Sequence, residues 1–251
     1  YGVEMKKLVV VLILVAIGTL IAKSQLALNN APFAALLNRG SSSGSAGYFL
    51  QENFEGPGYQ NVWTISSAGT GSLDDTYTTA PAPLEASYSL RLNLSGNTRR
   101  ITNNLVSSYS TIYGYFMLSV QTIGGATDPL VTLLDNGSPV LALDFIDNIG
   151  DYAFQLSDTN TDYCCVSSPT AVVGVTNHIW FSIITGSGLN AAYTLTYSTN
   201  STKPGTPGYS TGAGRAVGTM NQIQIGSTNS STWRIIFDKI RLSTTEIGSN
   251  P

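Results

Sequence analysis

From residue 48 onward, apolar side chains recur at every second position, which is the repeat of a half-buried β-strand. Leu90, Leu92 and Leu94, for example, alternate with polar residues. Ten windows show the pattern, separated by clusters of Gly, Asn, Asp, Ser and Pro: 61–66, 88–94, 112–122, 129–134, 140–146, 152–156, 178–184, 192–197, 220–225 and 232–242. About a dozen strands without a helical repeat predict a mainly β fold, an antiparallel two-sheet sandwich.

The N-terminal region carries a different signal, an unbroken apolar run over residues 8–22 that follows Lys6 and Lys7. As a helix it is about 22 Å long, shorter than the roughly 30 Å hydrocarbon core of a bilayer. A secretory signal peptide has this form. Because the chain begins at Tyr1 rather than after the run, we expect a retained hydrophobic helix. A signal peptide and a simple membrane anchor are the alternatives.

The domain organisation follows from the change in composition after this run. Apolar residues continue to Leu37, with a kink expected at Pro32 because proline removes a backbone donor. The Gly- and Ser-rich residues 39–47 predict a flexible linker. We therefore expect a hydrophobic helix over 1–38, a linker over 39–47 and a β-sandwich over 48–251.

The start of the chain, Tyr1-Gly-Val-Glu4-Met before a Val/Ile/Leu-rich run, resembles the mature N-terminus of type IV pilins. The resemblance covers roughly residues 1–28. It implies a helix that lies in the membrane before assembly and then packs in the core of a helical filament of identical chains. Tyr1, Glu4 and Leu14 are the positions that we assign to assembly.

The sandwich region resembles a second family. Residues 48–63, with the sequence Tyr-Phe-Leu-Gln-Glu-Asn-Phe-Glu-Gly-Pro-Gly-Tyr-Gln-Asn-Val-Trp, are similar to the first strand of concanavalin A-like, laminin-G-type jelly rolls. Residues 88–92 and 233–242 resemble later strands of that family in order and spacing. The resemblance covers roughly 48–246. It implies carbohydrate or protein binding, hydrolase or lyase activity in some members, and often a structural calcium ion.

Two carboxylates fall on apolar strand faces by the period-two count. Glu52 shares its face with Leu50 and Phe54, and Asp238 falls among isoleucines. A charge there is costly unless it is paired or bound to a metal. The resemblance places the first and last strands side by side, so a shared Ca²⁺, with Glu55 as an alternative ligand, would account for both. The alternative is that each carboxylate caps backbone amides at a sheet rim.

Catalytic motifs are not evident in the sequence. The Glu-x-Asp-x-x-Glu strand motif of glycosidases with the jelly-roll fold does not occur. Asp144 and Asp147 have opposite strand parity, so they would not face each other as an acid and its partner. His178 is the single histidine, and its place at the start of a predicted strand favours a structural role. We therefore expect that the chain is not an enzyme.

The two cysteines, Cys164 and Cys165, are adjacent. Their Cα atoms lie about 3.8 Å apart across a trans peptide, below the usual disulfide range. A strained vicinal disulfide, two reduced thiols and intermolecular pairing remain open. Acceptor sequences for N-glycosylation occur at four positions, Asn93, Asn136, Asn200 and Asn229.

The remaining signals concern the surface. The long loop 198–218 is expected to be mobile, with Tyr209 as a candidate ligand contact. Charged residues are only 11% and the net charge is −3, which gives no case for binding nucleic acid. We expect an extracellular filament subunit at the cell surface that displays a lectin-like domain for adhesion. The alternatives are a secreted or anchored glycan-binding module and a glycan-cleaving enzyme.

Overall fold

The computed structural model describes residues 47–55, 63–67, 72–78, 84–85, 87–94, 99–122, 127–148, 151–158, 162–163, 171–184, 192–207, 209–211, 218–226 and 233–251. All of them belong to one compact unit, Ser45–Pro251. The predicted N-terminal helix and linker lie outside this part of the chain, except for Gly47, the last linker residue.

The described residues form fifteen strands. They are β1 (Tyr48–Glu52), β2 (Thr64–Ser67), β3 (Ser72–Tyr77), β4 (Ser89–Leu94), β5 (Arg99–Tyr109), β6 (Thr111–Thr122), β7 (Thr127–Asp135), β8 (Ser138–Asn148), β9 (Asp151–Asp158), β10 (Asp162–Tyr163), β11 (Asn177–Ile184), β12 (Ala192–Ser198), β13 (Tyr209–Thr211), β14 (Met220–Ile225) and β15 (Trp233–Ser243). No helix occurs among these residues.

The strands pair into two antiparallel sheets. The eight-stranded sheet has the order β13-β12-β11-β6-β15-β4-β3, with β1 also paired to β15. The seven-stranded sheet has the order β10-β9-β8-β7-β14-β5-β2. The predicted mainly β fold with two antiparallel sheets is confirmed for the described residues.

The core lies between the sheets and takes alternate side chains from both. On β8 and β9, Leu143, Phe145 and Phe154 point inward, where Phe154 meets Phe145 at a ring distance of 5.2 Å. On β15, Trp233 packs edge-on against Phe145 at 5.8 Å. The apolar side chains at every second position therefore form the core, since the inner face of each sheet packs against the inner face of the other sheet.

The β7–β8 connection shows how turn chemistry fixes the register. Asn136 and Gly137 both have positive φ, at 48° and 84°, which is the backbone of a two-residue hairpin turn that favours Asn-Gly. The Asn136 side chain also accepts a hydrogen bond from Asn221 Nδ2 at 2.9 Å. This contact ties the turn to the neighbouring strand β14.

Strand β15 lies at the centre of the eight-stranded sheet and has three partners. It pairs with β6 along one side. Its other side pairs with β4 over Trp233–Phe237 and with β1 over Ile240–Ser243. The register against β6 shifts between Phe237 and Lys239, so Asp238 is the extra residue of a β-bulge. The bulge lies where β4 ends and β1 begins.

Side chains on the outer face of the eight-stranded sheet form a second, smaller cluster. Tyr115 and Met117 of β6 and Trp180 of β11 pack there with Ile247. Ile247 belongs to the C-terminal strap, our name for residues 244–251, which follow β15. The strap therefore covers part of this outer face.

Candidate functional site

A cleft of about 530 Å³ opens on the outer face of the eight-stranded sheet, beside the bulge of β15. We call it the terminal-strand cleft because β1 and β15 supply half of its lining residues. Its lining residues are Tyr48, Gln51, Asn53, Glu55, Glu85, Asp238, Lys239, Arg241, Asn250 and Pro251. Carboxylates, amides, two cations and an aromatic ring thus meet in one cavity.

Arg241 forms the inner wall of the cleft and is only 4% exposed. Its Nη1 donates to the backbone oxygens of Glu52 and Ile240, at 2.9 Å each, and its Nη2 donates to Asn53 Oδ1. All three acceptors are uncharged oxygens, two from the backbone and one from an amide side chain. The guanidinium carbon lies 6.0 Å from the centre of the Tyr48 ring. Burial lowers the pKa of Arg241, as expected when a cation loses water.

Asp238 lies at the base of the cleft and is 1% exposed. Its Oδ2 accepts hydrogen bonds from the backbone N–H of Glu85 at 2.7 Å and from Ser89 Oγ at 2.9 Å. Burial raises the pKa of Asp238 to about 7, against the smaller opposing effect of these two donors. Nearby Glu55 raises it further. The carboxyl group therefore changes protonation state close to neutral pH.

Lys239 follows the bulge and forms an ion pair with Glu85 at the cleft rim. Its Nζ also donates to the backbone oxygen of Pro251 at 3.3 Å. The last residues of the strap thus reach the cleft.

The structure separates the carboxylates that the calcium prediction joined. Glu52 lies on the core side of β1, where it accepts from Phe54 N at 2.8 Å and from Trp63 Nε1 at 3.2 Å. Glu55 accepts from the backbone N–H of Ser87 at 3.0 Å and lines the cleft with Asp238.

Asp238 does not share a face with Ile240, because the bulge reverses strand parity. The described residues contain no group of three or more His, Cys, Asp or Glu that could hold a metal ion. The calcium site stays a prediction.

His178 lies beside Tyr115 and Trp180 on the outer face of the eight-stranded sheet and is 8% exposed. It is the second residue of β11, as expected, and its Nδ1 lies 2.7 Å from Tyr115 Oη. Burial lowers the pKa of His178, and Lys239 lowers it further. Both effects favour the neutral imidazole, which pairs with the Tyr115 hydroxyl.

The other predicted positions that the structure describes do not line the terminal-strand cleft. Asn136 and Asn200 are exposed, and Asn93 is half-buried on β4. Tyr209 belongs to the short strand β13, where it pairs with Leu195 of β12. The remaining positions lie outside the described residues: Tyr1, Glu4, Leu14, Cys164, Cys165 and Asn229.

Sequence reasoning reached Glu55 and Asp238 but missed Tyr48, Glu85, Lys239 and Arg241. For Arg241 a signal was available. It lies opposite Gln51 and Tyr115 in the sheet, so the predicted pairing of the first and last strands could have placed it beside the first strand. Glu85 comes from a segment without a regular repeat, and nothing in the sequence indicates that its N–H meets Asp238.

No protein-family model matches the sequence, and no curated protein is significantly similar to it. Solved structures do share its fold. An endo-β-1,4-glucuronan lyase from the fungus Trichoderma reesei matches with a TM-score of 0.59 and 9% identity over 79% of this chain and 96% of the other. An alginate lyase from Aplysia kurodai matches with a TM-score of 0.55 and 12% identity over 80% and 100%.

A carbohydrate esterase from the Shiga toxin-encoding bacteriophage phi24B has a TM-score of 0.54 and 10% identity over 78% of this chain and 97% of the other. The fold is therefore a β-sandwich found in carbohydrate-active proteins. These likenesses correct the expectation that the chain is not an enzyme. Two lyases and an esterase share its fold, so the missing glycosidase motif does not exclude an enzyme.

The comparisons give no support to the pilin-like part of the sequence interpretation. The described residues contain no helix with the length and apolarity needed to cross a membrane.

Proposed function

We propose that the sandwich is a glycan-active domain that binds an acidic glycan in the terminal-strand cleft. The observation that carries the proposal is Arg241, a buried cation whose described hydrogen bonds all go to uncharged oxygens. The carboxylates of Glu85 and Glu52 favour its charged form electrostatically, but neither accepts one of its described hydrogen bonds. A buried charge is costly without a direct partner of opposite charge. A carboxylate on a sugar ring supplies that charge and fits the planar donors of a guanidinium group.

The rest of the cleft suits the hydroxyl groups of a sugar. Gln51, Asn53 and Glu55 also line the cleft, and their amide and carboxylate groups offer both donors and acceptors. Tyr48 adds an aromatic ring beside Arg241, and aromatic faces pack against the apolar faces of sugar rings. A few convergent polar groups with an aromatic surface are typical of small-ligand sites.

The fold supports the same reading by analogy. Proteins of this fold are described as lyases of glucuronan and alginate, and both names denote polymers of uronic acids. Because only about one residue in ten is identical, this likeness shows the fold alone. The inference about the ligand therefore depends on the residues of the cleft.

Replacing Arg241 tests the proposal. We expect Arg241→Gln to weaken binding of a uronate trisaccharide about tenfold or more, because a charge-assisted hydrogen bond contributes roughly 1.5–3 kcal/mol. Titration calorimetry with alginate and glucuronan trisaccharides measures the change. Arg234→Gln is the matched control, since Arg234 is exposed on the same strand, and its affinity should stay within twofold. Equal binding by Arg241→Gln and the unaltered protein, once thermal melting shows that both are folded, would rule out this cleft.

Cleavage of the bound glycan is a second candidate, favoured by Asp238. A carboxyl group with a pKa of about 7 suits a general base at neutral pH. In a β-elimination the base takes the proton next to the uronate carboxylate. The C–O bond to the neighbouring sugar then breaks, a double bond forms, and the leaving oxygen takes a proton from water. Arg241 would stabilise the negative charge that develops on the carboxylate.

Product formation tests this candidate. Incubation with alginate or glucuronan should produce unsaturated ends that absorb ultraviolet light, at a rate that rises with pH through about 7 as Asp238 loses its proton. Asp238→Asn should abolish the reaction while leaving trisaccharide binding in place. Unchanged turnover in the Asn variant would remove Asp238 from the reaction.

The filament role predicted from the sequence does not depend on the residues of the cleft. It depends on Tyr1, Glu4 and Leu14, which lie outside the described residues, and no comparison supports it. It stays a prediction, and a glycan-active sandwich is compatible with it because the two rest on separate parts of the chain.

A further inference from the structure

The outer face of the eight-stranded sheet carries a continuous row of large and polar side chains. In the strand register, Arg241 of β15 lies beside Tyr115 of β6, which lies beside Trp180 of β11, followed by Thr196 of β12. The row thus begins in the terminal-strand cleft and leads away from it across the sheet. Aromatic rings on an outer sheet face are unusual unless another surface covers them.

The cover here is the C-terminal strap. Ile247 is its one fully buried side chain, at 3% exposure, and it packs on Tyr115 and Trp180. The Trp180 indole N–H donates to the backbone oxygen of Gly248 at 3.0 Å. The other strap residues are exposed or, for Pro251, half-buried.

Polar contacts hold the strap at both ends. Lys203 Nζ donates to the backbone oxygen of Ile247 at 3.1 Å and pairs with Glu246 at 2.8 Å. Asn250 N–H donates to the backbone oxygen of Ser201 at 3.0 Å. Water can replace each of these contacts, since they lie near the surface.

A second cleft, of about 430 Å³, lies on the far side of the strap. Tyr113, Trp180 and Thr196 contribute to its floor, and strap residues 246–249 form one wall. Strap residues Asn250 and Pro251 line the terminal-strand cleft. Successive residues of the strap therefore line both clefts.

We propose that the two clefts are the ends of one glycan-binding groove, and that an extended glycan binds across Tyr115 and Trp180 with the strap displaced. The inference rests on the proposed glycan binding at the terminal-strand cleft. It adds the residues that contact the distal sugars and a segment that controls access to them. The row has the aromatic faces and hydroxyl groups that successive sugar rings require, and the strap occupies the space over them.

Two outcomes follow if the strap competes with long glycans. In this proposal a trisaccharide occupies only the terminal-strand cleft, to which the strap contributes Asn250 and Pro251, so weakening the strap at Ile247 should change its affinity far less than that of a hexasaccharide. A hexasaccharide must displace the strap, so its apparent affinity is reduced by the small fraction of molecules in which the strap is open. Ile247→Ser should therefore raise hexasaccharide affinity about tenfold, since Ile247 is the main buried anchor.

The experiment compares tri- and hexasaccharides of alginate on the full chain by calorimetry. Ile247→Ser and Lys203→Met both weaken the strap by different contacts, and Val175→Ser, at an exposed position outside the row, is the matched control. Hydrogen exchange at the Asn250 amide should become faster with the hexasaccharide but not with the trisaccharide. Trp180→Ala should weaken hexasaccharide binding in the Ile247→Ser background.

The outcomes separate this inference from the function it rests on. If Arg241→Gln weakens trisaccharide binding while neither strap variant changes hexasaccharide affinity, the groove is wrong and the cleft stands. The same holds if the hexasaccharide binds with the Asn250 amide as protected as before. If no oligosaccharide binds to any folded variant, both proposals are overturned.

Discussion

The carboxyl group of Asp238 is buried, and its neighbours compensate only part of the cost of burying a charge. The β-bulge turns its side chain out of the core. Ser89 and the Glu85 amide then supply two donors, which reduce the cost of burying the charge. They do not remove it, since burial still raises the pKa of Asp238 to about 7. The residue is therefore held at some cost to stability.

A pH series on Asp238→Asn makes that cost measurable. Below the ordinary pKa of 3.8 the carboxyl is protonated in both states and contributes no pH dependence. Between 3.8 and about 7 the unfolded chain releases the proton and the folded chain keeps it, so rising pH favours unfolding. We expect the unfolding free energy of the unaltered protein, relative to Asp238→Asn, to fall by a few kcal/mol over this range and to level off above it.

Urea unfolding at several pH values gives the difference directly. The lowered pKa of His178 has the opposite effect, because its protonation in the unfolded chain destabilises the fold as pH falls below about 6.5. That contribution is present in both proteins and cancels. A difference between them that does not change with pH would mean that the pKa of Asp238 is ordinary in the folded protein.

At the level of strands, the sequence predicts the ones that alternate cleanly. Strands β6, β8, β11 and β15 each have an apolar residue at nearly every second position. The ends of all four strands differ from the ends of their predicted windows by at most two residues. Strand β5 was missed although it spans eleven residues. Its core side includes the buried Asn103 between Ile101 and Leu105, and a polar residue there breaks the pattern.

The candidate site was harder to predict than the strands because it depends on one irregularity. A period-two count assigns Asp238 to the same face as Ile240. The bulge cancels that assignment, and no glycine or proline in 233–243 marks it. The positions of Arg241 and Lys239 in the cleft follow from the same bulge. The alternation of apolar and polar residues predicts which residues form strands. Predicting the site requires the position of the bulge, where that alternation is interrupted.

At the scale of the whole molecule, the sequence predicts that the segment before the sandwich drives assembly. The sequence predicts that deleting residues 1–28 leaves a soluble, folded β domain that no longer assembles, because the apolar helix would form the filament core. Leu14→Asp in the full chain should have the same effect, since an unpaired carboxylate in an apolar core costs several kcal/mol. Negative-stain microscopy of the three proteins tests this. Filaments of identical appearance from the deleted chain would exclude a helical core.

The central place of β15 also has a consequence for biosynthesis. Strands β1, β4 and β6 all pair with it, yet they leave the ribosome long before residues 233–243 are made. Until then β6 and β4 have no strand between them and present open edges that invite aggregation. Pairing across such long sequence separations is slow. The pairing that joins β4 and β6 into one sheet can therefore form only after residues 233–243 have been made.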